Sequence, residues 1–189
     1  MAKVFFTSDL HFGHKNLCEN LRNMTYEESD ELIIRNWNKV VSKKDIVYIL
    51  GDIVMENPSN LVTLKQLKGI IRVIGGNHDD RKVCKTLNDM GIIVMGCLHY
   101  KGFICTHIPV HPSELGKDKF IGNIHGHIHL GETFKTDENN NQINWEYKPE
   151  NIKDYRYINV NTEYNNYTPV PFEYINNRIN ILNKINHLS

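Results

Sequence analysis

At 189 residues the chain is long enough for one domain with a real core, and its apolar and charged shares, 40% and 23%, are those of an ordinary globular protein. Its 22 basic and 22 acidic residues cancel, so no long-range field draws in a nucleic-acid backbone. No apolar run approaches membrane-spanning length, which excludes a transmembrane protein at this stage.

The opening segment MAKVFFTSDLHFGH reaches Asp9 too soon for a signal peptide and reads as a first strand, Val4-Phe5-Phe6. A helical region follows around Lys15 to Arg22. Glu27 to Val41 then places Leu32, Ile33, Asn36, Trp37 and Val40 on one helical face. Ile46 to Leu50 is the next strand. Pro58-Ser59 opens a helix through Leu67, with Ser59 or Asn60 as its cap. Ile70 to Ile74 is a strand, and Arg81 to Met90 a helix ended by Gly91. This alternation predicts a parallel sheet covered on both faces.

Beyond Gly91 the texture changes. Ile92 to Met95, Gly102 to Thr106, Asn123 to His125 and Tyr157 to Val160 read as strands of a second, antiparallel or mixed sheet. Thr136 to Asn144 is a polar loop or hairpin tip, and Phe172 to Leu188 a helix after Pro169 and Pro171. Without a repeat or a dividing linker, residues 1–189 are expected to form a single domain. The scattered cysteines, Cys18, Cys84, Cys97 and Cys105, suit reduced thiols of a cytoplasmic protein better than a disulfide framework.

Chemistry-bearing residues gather where the apolar runs stop. Asp9-Leu10-His11 follows the first strand; on an extended backbone, residues i and i+2 face the same side and can hold one ion. Gly51-Asp52 follows the second, and Gly76-Asn77-His78-Asp79 the third. Thr106-His107 and His125-Gly126-His127-Ile128-His129 complete the set. Ligands of open α/β sheets collect at the carboxyl ends of strands, so the placement is right as well as the residue types. Each cluster alone is adequately explained as a cap, a turn or an adventitious metal-binding tract. Turn chemistry does not supply all of them in this order. Aspartate, asparagine and histidine without thiolate favour hard-to-borderline ions such as Mn²⁺, Fe²⁺ or Zn²⁺ over a structural zinc site built on cysteine.

These motifs, D-x-H, G-D, G-N-H-D, H and G-H-x-H, resemble those of the calcineurin-like metallophosphoesterase superfamily, from Asp9 to His129. The spellings FTSDLHFGHKN, RNWNKVV and DIVYILGDI are similar to small metallophosphatases of bacteria and phages. The resemblance implies an α/β sandwich of two β-sheets flanked by α-helices. It implies Asp9, His11, Asp52 and His129 around one divalent ion, with Asp52 bridging to a second held by Asn77, His107 and His127. Two divalent ions are therefore expected, Mn²⁺ first, with Fe, Zn, Ni or Mg as alternatives. It also implies His78 facing the substrate phosphate, positioned by Asp79. A Gly-Val-Asp-like stretch is expected near the end, where this chain has Val160-Asn161-Thr162.

Two cations roughly 3.5–4 Å apart can share a water, lower its pKa and provide a hydroxide that attacks phosphorus in line, while His78 assists the leaving oxygen. The expected substrate is a small phosphoester such as a nucleotide or phosphorylated metabolite. The alternatives are a phosphodiesterase or nuclease, for whose added capping domain the chain has little room, and a scaffold without turnover, against which His78 speaks. Gly51-Asp52-Ile53-Val54-Met55-Glu56-Asn57 departs from the G-D-x-V-D-R-G of protein serine/threonine phosphatases. No partner beyond the substrate, and no oligomeric state, is specified. Four further residues have two readings each. His14 touches substrate or starts a helix, and His111 lines the pocket or shapes a turn. Arg81 meets a phosphate or is a solvated charge. His125 contacts substrate or hydrogen-bonds behind the ligands.

Overall fold

The computed structural model describes residues 1–55, 57–116, 119–133 and 154–178. Two sheets carry the described strands. The first has the order β4-β3-β2-β1-β9, with β1 (Val4–Thr7), β2 (Ile46–Ile49), β3 (Ile70–Ile74) and β4 (Ile93–Met95) parallel and β9 (Val170–Pro171) antiparallel to β1. The second has the order β5-β6-β7-β8. There β5 (Leu98–Tyr100) runs antiparallel to β6 (Phe103–Cys105), while β6, β7 (Gly122–His125) and β8 (Tyr157–Asn159) are parallel. Both are mixed sheets flanked by helices, the α/β sandwich expected.

Strand alternation sorts the core into two layers. Phe5, Val47, Ile49 and Val73 join Ile33, Trp37, Val83 and Leu87 of the helices, while Phe6, Tyr48, Leu50 and Ile74 meet Phe103, Cys105, Ile124 and Ile158 of the other sheet. Neighbouring residues of one strand face opposite sides, so one run of apolar residues serves both layers.

Several expectations need correction. The strand expected at Ile92 to Met95 pairs with β3 in the first sheet, through Val73 and Val94, rather than opening the second. Strands β5 and β9 lie outside the expected runs; β9 is two residues long, too short for a period to register. The Lys15–Arg22 region is a short helix, α1 (Lys15–Leu17), followed by a π turn over Cys18–Arg22. The longest helix, α2 (Tyr26–Val40), starts on a Thr25/Glu28 capping box. Its buried stripe runs Ser29, Ile33, Trp37 and on to Val41, four residues apart, leaving Val40 41% exposed. Pro58–Gln66 is a 3-10 helix rather than an α-helix, capped by Asn57 rather than Ser59 or Asn60. Leu61, Leu64 and Leu67 are buried at intervals of three, the spacing that aligns side chains at three residues per turn.

Helix α3 (Arg81–Asp89) forms as predicted, with Asp80 accepting from the amides of Lys82 and Val83. Residues 172–178 are helical; the rest of the helix expected to Leu188, and the loop expected at Thr136 to Asn144, lie outside the described residues. All four cysteines are free, Cys18 and Cys105 buried and Cys97 exposed. No helix among the described residues is long and apolar enough to cross a membrane.

Candidate metal centre

Each cluster read from the sequence lies just beyond the carboxyl end of β1, β2, β3, β6 or β7. The turns are laced together by backbone bonds: Asp9 N to Gly51 O (3.0 Å), His11 N to Asp52 O (3.1 Å), Phe12 N to Ile53 O (2.9 Å) and Gly126 N to His107 O (2.9 Å). The two sheets meet here through Ser8, whose carbonyl accepts from the Thr162 amide (3.1 Å) and hydroxyl (2.7 Å).

The backbone at the centre is not the extended one expected for Asp9 and His11. Asp9 (φ 58°), His11 (φ 48°), Asp52 (φ 54°), His127 (φ 70°) and His129 (φ 47°) all occupy the left-handed region. L-residues pay about 1–2 kcal/mol for that conformation, and such strain concentrates at functional sites. Glycine provides the close approach. A Cβ at Gly126 would collide with Ser8 Oγ and Asp9 Oδ2, and one at Gly76 with Asp52.

Two groups of ligand atoms result. Asp9, His11 and His129 form one, Asp52, His107 and His127 the other, with the atoms of each group within 4.8 Å of one another. In the first, Asp9 Oδ1 lies 3.8 Å from His11 Nε2 and 3.9 Å from His129 Nε2. Those separations are too long for hydrogen bonds but suit donors sharing one cation at bond lengths of about 2.0–2.2 Å. Asp9 Oδ1 and His11 Nε2 are buried and have no hydrogen-bond partner. Buried polar atoms are costly when left so, and a cation would satisfy both.

In the second group His107 Nε2 lies 2.7 Å from Asn77 Oδ1 and 3.2 Å from Asp52 Oδ2. His107 Nδ1 meets the Leu50 carbonyl at 2.7 Å, and a carbonyl can only accept, so Nδ1 carries the proton. The Nε2 lone pair then faces two oxygens, and a proton or a cation must sit among them. Asp52 Oδ2 also lies 3.9 Å from His11 Nε2, between the two groups.

The local charges are strongly coupled. Burial works against ionisation of Asp52, but the bond and charge of His107, the His78 amide and His11 together outweigh it and hold the carboxyl below its usual range. Burial would depress His107, yet Asp52 raises it in return. His127 is pushed down, by burial first and then by His107, which favours the neutral imidazole that a metal ligand needs.

His78 stands beside both groups. Its Nε2 is 4.0 Å from Asp52 Oδ2, its amide donates to Asp52 Oδ1 (2.9 Å), and its side chain is 37% exposed. Asp79, expected to position His78, is buried. Its carboxylate accepts from the amides of Asp52 (2.8 Å), Ile53 (3.2 Å) and Gly76 (2.9 Å), tying the two turns together.

Of the four residues with double readings, His14 comes near, its ring 5.5 Å from that of His11. Arg81 is exposed in the first turn of α3. The exposed His111 caps a short 3-10 turn, its Nδ1 accepting from the Ser113 amide (3.2 Å). His125 is wholly buried and cannot reach a substrate; its Nδ1 meets the Gly126 carbonyl (3.0 Å), and burial brings its pKa down to about 4.

Three contributors went unread in the sequence. Ser8 Oγ lies 2.5 Å from Asp9 Oδ2 and 2.6 Å from the Leu50 carbonyl, and its single proton serves one of the two at a time. Glu163 Oε2 meets His129 Nδ1 at 3.1 Å, and Arg22 pairs with Glu163 Oε1 at 2.6 Å. Burial alone would raise the Glu163 carboxyl, but His129 and Arg22 hold it down to about 2. The signal available was position: Glu163 directly follows Val160-Asn161-Thr162, where an acidic residue was expected.

The chain is 35% identical over 182 residues to the uncharacterized protein MJ1445 of Methanocaldococcus jannaschii, covering 93% of this chain and 90% of that one. It is 41% identical over 85 residues to the gene 66 protein of Mycobacterium phage L5, 42% of this chain and 41% of the phage protein. A protein of unknown function from Aquifex aeolicus, AQ665, shares the fold with a TM-score of 0.65 at 23% identity, covering 94% of this chain and 99% of that one. The calcineurin-like phosphoesterase model matches residues 2–183, and the chain belongs to that family.

Proposed function

We propose that this protein is a two-metal phosphohydrolase of small phosphoesters. The observation that supports it best is the position of Asp52 Oδ2, 3.2 Å from His107 Nε2 in one ligand group and 3.9 Å from His11 Nε2 in the other. Asp9, His11, His129 and Asp52 would hold one ion, and Asp52, Asn77, His107 and His127 the other, with Mn²⁺ the expected ion and Fe, Zn, Ni or Mg as alternatives. When bound, the ions supply Lewis acidity toward the phosphoryl oxygens and activation of water.

The protein's own groups do the rest. Asp79 and the laced turns fix Asp52. His78, exposed and fixed through its amide, is free to donate a proton to the departing ester oxygen. A balanced net charge supports a small phosphorylated substrate over a nucleic-acid polymer.

The test is hydrolysis of mono- and bis-p-nitrophenyl phosphate with added Mn²⁺ and after chelation. Metal-dependent release from the monoester is expected. Turnover of the diester alone would make the enzyme a phosphodiesterase, and no turnover with any divalent metal would make it a scaffold.

A further inference from the structure

Arg22 lies 5% exposed on the π turn after α1, outside every metal-site motif, yet every arm of its guanidinium is engaged. Nη2 donates to the Asp9 carbonyl (2.8 Å), and Nη1 to the Leu10 carbonyl (3.0 Å) and Ser29 Oγ (2.8 Å). Nε (2.8 Å) and Nη2 (2.6 Å) both reach Glu163 Oε1. The other Glu163 oxygen, Oε2, meets His129 Nδ1. The side chains of the pair are 0% and 4% exposed, and Tyr167 covers the guanidinium at 5.8 Å.

A buried arginine–carboxylate pair is a poor way to gain stability, because desolvation cancels much of the attraction. It is a good way to fix geometry. The planar fork holds the backbone of the Asp9–His11 turn with one edge and a carboxylate with the other. That carboxylate accepts the Nδ1 proton of His129, which leaves the Nε2 lone pair directed at Asp9 Oδ1, 3.9 Å away. In the other ligand group His107 leans instead on the neutral carbonyl of Leu50.

We infer that Arg22 and Glu163 are positioning residues, a clasp that joins the Asp9–His11 turn to His129 and sets metal affinity at that one subsite. This rests on the two-metal reading above. Outer partners of ligand histidines fix the tautomer and raise ligand basicity, and their loss costs 10–100-fold in metal affinity.

The test is Mn²⁺ titration by calorimetry, with metal content after dialysis, on the wild-type protein, Glu163→Gln, His107→Ala and the double variant. Glu163→Gln should retain one ion, with affinity for the second down 10–100-fold. His107→Ala should also retain one, and the double variant none. The melting temperature of metal-free Glu163→Gln shows whether the variant folds. Nitrogen-15 histidine spectra of the metal-free and Zn²⁺-loaded wild type test the proposal without any variant: His129 should carry its proton on Nδ1. Two ions bound at unchanged affinity by Glu163→Gln, or a proton on His129 Nε2 in the wild type, would overturn the clasp and leave the two-metal reading standing. A wild-type protein that binds no ion would overturn both.

Discussion

Alanine at Gly76 should disable the metal centre, whereas alanine at its neighbour Gly75 should leave it intact. A Cβ at Gly76 would fall 2.6 Å from the Asp52 nitrogen and 3.0 Å from Asp52 Cγ, while nothing lies within 4 Å of one at Gly75. Ordinary contacts lie at about 3.5–4.0 Å, so Asp52 would have to retreat by about 1 Å. It has nowhere to go. Its amide is held by Asp79, its Oδ1 takes the His78 amide, and it is 2% exposed. Overpacking of this kind costs about 1–3 kcal/mol, and loosening the Asp52 hydrogen bonds adds about 1 kcal/mol. At about 2–4 °C per kcal/mol, the melting temperature should fall by about 4–16 °C. Ligand distances matter to about 0.2 Å, so Gly76→Ala should also lose at least one ion. Gly75→Ala should melt within a few degrees of the wild type, with a gain of about 0.4–1 kcal/mol available from a stiffer unfolded chain. Calorimetry with excess Mn²⁺, paired with metal analysis, separates the two. Equal melting temperatures and equal metal content in both variants would refute the steric argument.

Three further outcomes follow from the same geometry. His78→Ala should lower kcat by about 10²–10⁴ while both ions stay bound, because the amide that supports Asp52 is unchanged; loss of both ions would contradict the role given to the imidazole. Chelation should destabilise the protein, since each ion at 100-fold excess over its Kd adds about 2.7 kcal/mol, and an unchanged melting temperature in EDTA would count against a metal centre. Asp45, distant from the metal centre, accepts from Lys3 N (2.8 Å), Ser42 N (2.8 Å) and Ser42 Oγ (2.7 Å), and these bonds, that of Lys3 foremost, hold its pKa at about 2. A depressed carboxyl pKa contributes stability above the unfolded value of about 3.9 and loses it as pH falls toward the folded value. Melting curves between pH 7 and 2 should therefore fall less steeply below pH ~4 in Asp45→Asn than in the wild type; parallel curves would refute the assignment.

The fold was legible where periods were long. Ile46 to Leu50, Ile70 to Ile74 and the stripe of Ile33 and Trp37 announced themselves because four or more residues repeat a pattern. It was illegible where partners decide. Ile93 to Met95 looks the same whichever sheet it joins, and only its pairing with β3 assigns it. Val170-Pro171 is two residues long, and its strand character lies in the edge of β1 that it covers. The period of three in Leu61, Leu64 and Leu67 was available and pointed to the 3-10 helix.

At the site, residue types were legible and backbone shape was not. Ligand chemistry restricts which side chains can serve, so Asp9, His11, Asp52, Asn77, His107, His127 and His129 stood out by kind and position. Their conformations carry no such signature, because left-handed φ normally announces itself through glycine, and these positions cannot be glycine without losing the ligand atom. Five such residues cost about 5–10 kcal/mol together, comparable to the whole stability of a typical domain. What offsets that cost is the mutual lacing of the turns: Asp9 to Gly51, His11 to Asp52, Phe12 to Ile53, with Asp79 and Arg22 gripping the backbone from behind. The lacing bonds and that of Asp79 join residues far apart in sequence, and even Arg22 reaches Asp9 from 13 residues away, so no local motif contains them. Ligand groups assembled this way are held by contacts between distant loops, which is why the motifs could be read early and the clasp at Glu163 only in three dimensions.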